Sequence, residues 1–105
     1  MEILFAFERQ SRVIIRCHIN IQSGAALRPR DDTVLHLSIR PQENCIVRNH
    51  FNAQVWGSEE RHGGMPINWQ DSFEISIAAE PTLFRIAING THFCNFNYRL
   101  STIAM

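Results

Sequence analysis

The sequence predicts an all-β fold, an antiparallel β-sandwich, and two features carry that prediction. Several short runs alternate apolar with polar residues, as the strands of a half-buried antiparallel sheet do. Turn residues separate these runs at short intervals, and no stretch repeats with the roughly 3.6-residue period of a helix. A chain of 105 residues has room for one such sandwich, so we expect a single domain over residues 1–105.

The first two strands are predicted from apolar and β-branched runs near the start of the sequence. Glu2–Phe7 is typical of a strand, and Gln10-Ser11 is typical of a turn. The run Arg12–Gln22 is rich in valine and isoleucine and predicts a second, longer strand. Gly24–Asp32 combines glycine, proline and a charge cluster, which predicts a solvated loop.

The third strand, Val34–Arg40, has the clearest two-sided pattern. Its apolar side chains project to one face and its hydrogen-bonding side chains to the other. The apolar residues are Leu35, Leu37 and Ile39, and the hydrogen-bonding residues are His36, Ser38 and Arg40. A row of polar side chains about 7 Å apart on a rigid strand is suited to reading hydroxyl groups.

Further strands are predicted along the rest of the chain. They cover Cys45–Asn49, Val55–Arg61, Ser72–Ala78, Leu83–Ile88 and His92–Phe96. His62–Pro66 contains two glycines and a proline and interrupts this series. Asn89-Gly90 joins the last two strands and predicts a type I′ hairpin turn, because both central positions of that turn need positive φ.

The charge pattern argues against a polyanionic partner. The formal net charge is zero, and the ten basic residues are all arginines, scattered from Arg9 to Arg99 without a run. Nucleic acid and anionic membrane surfaces are bound by clustered positive charge, so neither is an expected partner. No apolar run reaches the length that spans a bilayer, and we expect no membrane insertion.

The cysteines and the first residues predict a cytoplasmic protein. Cys17, Cys45 and Cys94 are odd in number and widely spaced, which favours free thiols in a reducing compartment over a disulfide framework. The first ten residues lack the basic region and the cleavage site of a signal peptide. The histidines and cysteines have no metal-ligand spacing, so no metal and no cofactor are predicted.

Three segments carry a shared motif. They read H-x-S-x-R over His36–Arg40, V-x-N over Val47–Asn49 and W-G-x-E-x-R over Trp56–Arg61. This pattern resembles the carbohydrate-recognition signature of the galectins, H-x-N-P-R, V-x-N and W-G-x-E-x-R. The resemblance implies the galectin jelly roll, a form of the predicted sandwich, and places His18–Gly24 on a strand that leads into the sugar-binding sheet.

The first segment departs from the galectin pattern. Ser38 stands where the family has asparagine, Ile39 stands where it has proline, and Pro41 is displaced along the chain. A serine hydroxyl is set back from the position of an asparagine amide, so we expect weaker sugar binding, with a water bridging the gap. Measured against the family, the chain also lacks the first strand and the last two, and we expect an incomplete domain that is marginally stable or self-associating.

The resemblance implies binding of β-galactosides of the lactose or N-acetyllactosamine type, without catalysis. Trp56 would stack on the apolar face of galactose. His36 and Arg40 would bind its axial 4-hydroxyl, Asn49 and Glu59 its 6-hydroxyl, and Arg61 would hold Glu59. The predicted carbohydrate-binding residues are therefore His36, Ser38, Arg40, Asn49, Trp56, Glu59 and Arg61.

This set of residues creates a geometric problem. In a regular strand Trp56 projects to the face opposite Glu59, so we expect a bulge at Gly57 that brings both to one face. Asn49 shares parity with Val47, and we expect a second break in pairing at Asn49. Trp69, which matches no motif, is expected in the core.

Other functions have weaker support. A glycosidase needs two carboxyl groups across one bond, but the neighbours Glu59 and Glu60 project to opposite faces of a strand. No cysteine or histidine lies beside a base as a nucleophile would. The alternative is a degenerate galectin-like domain with weak or no sugar binding that serves protein–protein contacts. Ser38 and the missing strands favour it.

The resemblance also implies partners and a location. The partners would be β-galactosides on glycoproteins or glycolipids. A homodimer and a place in a tandem-domain galectin both stay open. The family implies synthesis in the cytosol and extracellular delivery by unconventional secretion.

Overall fold

The protein is built from β-strands, as predicted. A computed structural model describes residues 2–8, 16–22, 32–68 and 70–100. The strands in these ranges are β1 (Glu2–Phe7), β2 (Cys17–Gln22), β3 (Thr33–Arg40), β4 (Cys45–Asn52), β5 (Val55–Trp56), β6 (Phe73–Ala79), β7 (Leu83–Ile88) and β8 (Thr91–Asn97). Within the described residues the one helical element is a 3₁₀ turn at Pro41–Glu43, and no helix is long and apolar enough to cross a membrane.

The strands form two antiparallel sheets of four strands each. One sheet, in the order β1-β6-β7-β8, belongs to a compact unit of Met1–Ile14 and Met65–Tyr98. The other, in the order β2-β3-β4-β5, belongs to a unit of Ile15–Gly64 and Arg99–Met105. We call the second one the motif sheet, because it carries the three motif segments.

The β1-β6-β7-β8 sheet follows the alternation of its sequence. Phe73, Ile75 and Ile77 of β6 are buried, while Glu74 between them is exposed. Phe84, Ile86 and Ile88 of β7 and Cys94 and Phe96 of β8 are also buried. These positions repeat with the two-residue period of a strand, so this sheet buries one face of β6, β7 and β8.

The hairpin between β7 and β8 has the predicted turn. Asn89 has a φ of 51° and Gly90 a φ of 78°, so both central residues are in the left-handed region that a type I′ turn requires. The Asn89 side-chain oxygen also accepts a hydrogen bond from the backbone N–H of Glu74, at 2.9 Å. The turn is thus tied to the neighbouring strand β6.

The centre of the motif sheet is β3, which pairs with β2 and β4. Leu35, Leu37 and Ile39 have no exposed surface, as their alternation predicts. The opposite face is less solvated than expected, since Ser38 is fully buried and Arg40 is 8% exposed. A buried arginine needs polar partners, and those of Arg40 are described with the site.

The predicted bulge is confirmed, but it lies at Ser58–Glu59 directly after Gly57, because the N–H of Gly57 still donates to the carbonyl of His50 at 3.0 Å. Trp56 pairs with Phe51, and Glu60 forms a bridge with Arg48, so three residues of one chain segment face two residues of the other. The extra residue reverses the parity of the segment. Trp56 and Glu59 therefore lie on the same face although three positions separate them.

The second predicted break, at Asn49, is found only on the β5 side of β4, where Asn49 faces the bulge residues Ser58 and Glu59, and it is absent toward β3. Pairing between β3 and β4 is regular from Arg40↔Cys45 through Ser38↔Val47 to His36↔Asn49, and the register shifts only before Thr33↔Phe51. Residues directly opposite one another in an antiparallel pair share a face. Val47 and Asn49 therefore both lie on the face of His36 and Ser38, and no break is needed.

Several predicted elements differ in extent. The strand predicted over Val55–Arg61 is limited to Val55–Trp56 by the bulge. The strand predicted over Arg12–Gln22 is observed at Cys17–Gln22. Its first residues, the Gln10-Ser11 turn, the loop up to residue 31 and Trp69 lie outside the described residues. Cys17, Cys45 and Cys94 are free thiols, as predicted.

Candidate functional site

An open cavity of about 580 Å³ lies on the motif sheet. Its lining residues are Arg16, His18, Asn20, His36, Arg40, Asn49, Trp56, Gly57 and Glu59. They include His36, Arg40, Asn49, Trp56 and Glu59 from the predicted set, and they do not include Ser38 or Arg61. The pairing of β2, β3, β4 and β5 thus brings residues that are up to 43 positions apart in sequence (Arg16 and Glu59) to one cavity.

Aromatic rings form a row along this face. The Trp56 ring lies between His36, at a centroid distance of 4.7 Å, and Phe51, at 5.0 Å. The His18 ring lies 5.0 Å from the His36 ring. Trp56 nevertheless remains 43% exposed, so its ring is held by its neighbours while part of its surface faces solvent. A tryptophan in this setting can stack on a flat apolar ligand surface.

The hydrogen bond between His36 and Asn20 orients the His36 ring. Nδ1 of His36 lies 2.5 Å from Oδ1 of Asn20, which can only accept, so Nδ1 carries the proton. In the neutral ring Nε2 is then an acceptor. Asn20 therefore selects the tautomer of His36 and sets which hydrogen-bonding group His36 offers to a ligand.

Ser38 supports Arg40 from behind. Nε of Arg40 donates to Oγ of Ser38 at 3.0 Å, and both side chains project from β3 on the same face. Ser38 has no exposed surface and does not line the cavity. The hydroxyl is enclosed and bonded to Arg40, which agrees with the expectation that the serine is set back from the sugar.

Two carboxylates and three arginines form an ion-pair network beside the cavity. Glu59 accepts from Arg61 Nε at 2.9 Å and Nη2 at 2.7 Å, and from Arg40 Nη2 at 3.3 Å. Glu43 lies 3.0 Å from Arg61 Nη1, 3.2 Å from Arg16 Nη2 and 3.5 Å from Arg40 Nη1. The prediction that Arg61 holds Glu59 is confirmed by these distances.

The network keeps both carboxylates charged. The hydrogen bond from Arg61 is the main cause that lowers the pKa of Glu59, with the charge of Arg40 adding to it. The same bond from Arg61 is the largest cause of the lowered pKa of Glu43. In return the pKa of Arg61 is raised by Glu59 and Glu43. Glu59 therefore offers ionised oxygens, which accept stronger hydrogen bonds than neutral ones.

Asn49 connects β4 to the bulge. Its Nδ2 donates to the carbonyl of Gly57 at 2.8 Å, and its Oδ1 accepts from the backbone N–H of His50 at 2.8 Å and from Nη1 of Arg99 at 3.1 Å. The side chain is 3% exposed but reaches the cavity wall. Nδ2 carries a second N–H, which is the group that Asn49 can offer to a ligand.

Several residues of this site were not predicted. His18 and Asn20 pair with Ser38 and His36, which puts them on the cavity face. Their alternation with Ile19 and Ile21 is the sequence signal that predicts this placement. Glu43 and Arg99 carry no such signal. A 3₁₀ turn places the first, and the second contacts residues 39 to 50 positions away.

Comparisons with known proteins agree with this arrangement. The family of galactoside-binding lectins matches residues 11–104. The chain belongs to this family. Galectin-8 of Rattus norvegicus is 36% identical over 87 residues, which are 82% of this chain and 28% of that protein. The 32 kDa beta-galactoside-binding lectin of Caenorhabditis elegans is 39% identical over 85 residues, 81% of this chain and 30% of that lectin.

Solved galectin structures share the fold. The Caenorhabditis elegans galectin LEC-6 matches with a TM-score of 0.81 and 27% identity, covering 94% of this chain and 65% of that one. Sheep galectin-11 in complex with glycerol matches with a TM-score of 0.82 at 15% identity, over 94% of this chain and 71% of that one, a likeness of fold alone. The predicted antiparallel β-sandwich of the galectin type is thus confirmed.

Membership in this family bears on two further predictions. Galectins are lectins without catalytic activity, in agreement with the prediction that this protein is not an enzyme. The chain spans about 30% of the length of the curated relatives named above.

Proposed function

We propose that the chain binds β-galactosides of the lactose or N-acetyllactosamine type through His36, Arg40, Asn49, Trp56 and Glu59. The observation that carries this proposal is the convergence of these side chains on one open cavity beside an exposed tryptophan ring. Binding needs no metal and leaves the sugar unchanged. The alternative, a degenerate domain that binds no sugar, lacks a comparable observation.

Trp56 recognises the apolar face of galactose. The axial 4-hydroxyl of galactose leaves a patch of C–H groups on one side of the ring. These hydrogens are weakly positive, and the face of an indole is weakly negative, so stacking adds to the burial of apolar area. His36 and Phe51 hold the indole in place before the sugar arrives, which limits the entropy lost on binding.

Polar groups around Trp56 select the hydroxyls of galactose. His36 and Arg40 bind the axial 4-hydroxyl, with Nε2 of His36 as acceptor and the Arg40 guanidinium as donor. Asn49 and Glu59 bind the 6-hydroxyl in the same way, through an amide N–H and a carboxylate. An epimer leaves one of these groups desolvated and unpaired, at about 1–3 kcal/mol.

Ser38 and Arg61 act at one remove from the sugar. Ser38 keeps Arg40 in its orientation, and Arg61 keeps Glu59 ionised and fixed. Sites whose contact residues are themselves held by a second layer of hydrogen bonds maintain their geometry more accurately. We therefore include both in the binding site, as supports.

The partners follow from this specificity. They are β-galactosides on glycoproteins or glycolipids, with no role for nucleic acid or for membrane insertion. We also propose that the chain forms a homodimer or is one domain of a tandem-domain protein. For its location we propose the cytoplasm, with extracellular delivery by unconventional secretion.

Intrinsic fluorescence and calorimetry test the proposal. Lactose should shift the emission of Trp56 and release heat on titration, and sucrose should do neither. Trp56→Ala should abolish the response to lactose, with circular dichroism as the check that the variant is folded. Equal responses to the two sugars, or an unchanged response in Trp56→Ala, would remove the proposal.

A further inference from the structure

Arg99 joins the motif segments without lining the cavity. Its Nη1 donates to the Asn49 Oδ1 at 3.1 Å and to the carbonyl of Ser58 at 2.8 Å, and lies 3.0 Å from the Nδ1 of His50. Its Nη2 donates to Glu60 Oε2 at 2.6 Å. Only 21% of the side chain is exposed. One guanidinium thus binds both sides of the bulge.

The bulge is the part of the site that most needs such support. Its extra residue interrupts the regular pairing between Phe51↔Trp56 and Arg48↔Glu60. A bulge leaves backbone groups without ladder partners, and buried groups of this kind need other partners. The carbonyl of Ser58 finds its partner in Arg99.

We propose that Arg99 is a positioning residue of the galactoside site, which holds Asn49, Trp56 and Glu59 in their common arrangement, and that His50 makes this arrangement sensitive to pH. The inference rests on the proposed function, because it concerns the same sugar site. It assigns a role to two residues, Arg99 and His50, that lie outside the motif contacts.

The contact between Arg99 and His50 requires a neutral histidine. Nη1 of Arg99 has two N–H groups for three neighbours, so His50 shares one of them with Asn49 or Ser58. A guanidinium can only donate, so Nδ1 of His50 is the acceptor in this contact and the ring proton is on Nε2. Protonation turns Nδ1 into a donor that faces another donor and puts two cations side by side. Burial and the charge of Arg99 lower the pKa of His50 accordingly. Glu60, which pairs with Arg99, offsets part of this repulsion.

The backbone of Gly57 closes one side of the His50 ring. A Cβ placed on Gly57 would lie 2.0 Å from Cε1 of His50, so the ring lies directly against the backbone of Gly57. The N–H of Gly57 also donates to the carbonyl of His50 at 3.0 Å. A protonated His50 cannot turn toward Gly57, so we expect the repulsion to displace Arg99, which then releases Asn49 and Ser58.

The variant Arg99→Lys distinguishes a positioning role of the guanidinium from a role of its positive charge alone. A lysine keeps one cation for the ion pair with Glu60, but it lacks the planar fork that reaches Asn49 and Ser58 together. The matched control is Arg85→Lys, because Arg85 pairs with Glu80 at 2.9 Å in the β1-β6-β7-β8 sheet. His50→Asn supplies the second variant, since its side-chain oxygen replaces the Nδ1 acceptor and does not titrate.

Lactose titrations of the whole chain test the inference. Arg99→Lys should weaken lactose binding roughly tenfold, the loss of about two hydrogen bonds, while Arg85→Lys leaves it unchanged. The wild-type affinity should fall as the pH drops below 6.5, and His50→Asn should reduce that fall, leaving the part that comes from the sugar contacts themselves. If Arg99 only stabilised the fold, Arg99→Lys would lower the free energy of unfolding. The lactose affinity of the wild type would then not depend on His50 in this way.

A readout without sugar distinguishes failure of the inference from failure of the proposed function. The NMR signals of the Asn49 side-chain amide should move with pH in the wild type, move in Arg99→Lys at neutral pH and stay constant in His50→Asn. If the wild type binds no lactose but these signals behave as expected, the sugar proposal fails and the positioning role stands. Unmoved Asn49 signals, or wild-type affinity in Arg99→Lys, would overturn the inference.

Discussion

At the scale of single residues, Ser38 shows that a residue can support a binding site without lining its cavity. The resemblance to galectins assigns this position to sugar recognition, with a water expected to bridge the gap left by the shorter serine. The structure encloses the hydroxyl completely and directs Nε of Arg40 onto it. The position therefore acts on the sugar through the orientation of Arg40.

Ser38→Ala tests this route. The change removes the acceptor for Arg40 Nε but leaves the lining of the cavity intact. We expect lactose binding to weaken by about 0.5–1.5 kcal/mol, the net value of one hydrogen bond, or up to roughly tenfold. Calorimetric titration measures the change, with Ser76→Ala in the other sheet as the matched control. Unaltered affinity would mean that Glu43 and Glu59 alone suffice to orient Arg40.

Residue patterns predicted much of this site, but only within single strands. Alternation in Val34–Arg40 correctly separates His36 and Arg40 from the core residues. It carries no information on which residue of the next strand lies opposite. For this reason the sequence did not show on which side of β4 the break at Asn49 lies, since the face of Asn49 depends on its pairing with His36.

At the scale of elements, the bulge between β5 and Glu60 decides which side chains meet. Its existence followed from the requirement that Trp56 and Glu59 share a ligand, because three positions cannot keep one face in a regular strand. No comparable argument predicts the 3₁₀ turn that brings Glu43 to Arg61. The contact of Arg99 with Asn49, 50 positions earlier in the sequence, could not be predicted either.

Gly57→Ala tests the packing of the bulge. The added methyl group meets the His50 ring at 2.0 Å, so strand and ring must separate. Overpacking of this kind destabilises by about 1–3 kcal/mol, and we expect a lower free energy of unfolding together with weaker lactose binding. Urea unfolding monitored by circular dichroism gives the first quantity.

A double variant gives the control for this clash. In Gly57→Ala/His50→Ala the methyl group has no ring to meet, so the two losses of stability should sum to more than the loss in the double variant. Strict additivity would show that the space beside His50 is not what requires a glycine at position 57.

At the scale of the whole molecule, the titratable groups make the fold sensitive to acid. Burial is the main cause that lowers the pKa of His18 and of His50 from the ordinary 6.5, and neighbouring arginines add to it. A histidine with a lowered folded pKa binds more protons when unfolded. Its contribution to stability is complete above pH 6.5 and declines as the pH falls toward the folded pKa.

The carboxylates act at lower pH and in the same direction. The pKa values of Glu43 and Glu59 are lowered from 4.5, first by hydrogen bonds from Arg61. Their contribution is present above pH 4.5 and is lost as the pH falls through the folded values. We therefore expect the free energy of unfolding to decline in two steps between about pH 7.5 and 3.

Urea unfolding over this pH range measures both steps. His50→Asn should reduce the upper step and Arg61→Gln the lower one, each without altering the other. A free energy of unfolding that stays level down to about pH 5 would contradict the assignment of the upper step to the histidines.

The fold class was predictable at this scale because predicting it does not require knowing which residues of neighbouring strands pair. Short alternating runs and the Asn89-Gly90 turn are local signals, and the observed strands and left-handed φ values follow them. The three motif segments predicted the family in the same way, by spacing alone. The pairing partners of each strand, in contrast, depend on contacts between distant residues, which a single sequence does not display.

The bulge also offers a practical handle for measurement. Ser58 gives the site its backbone carbonyl, held by Arg99, while its side chain is exposed and makes no contact that the site requires. A dye attached at Ser58→Cys would therefore sit at the rim of the cavity without disturbing the lining. Cys45 and Cys94 are buried, so replacing the half-exposed Cys17 by serine would direct the label to this one position. The fluorescence of such a conjugate would report directly on binding of a ligand in the cavity.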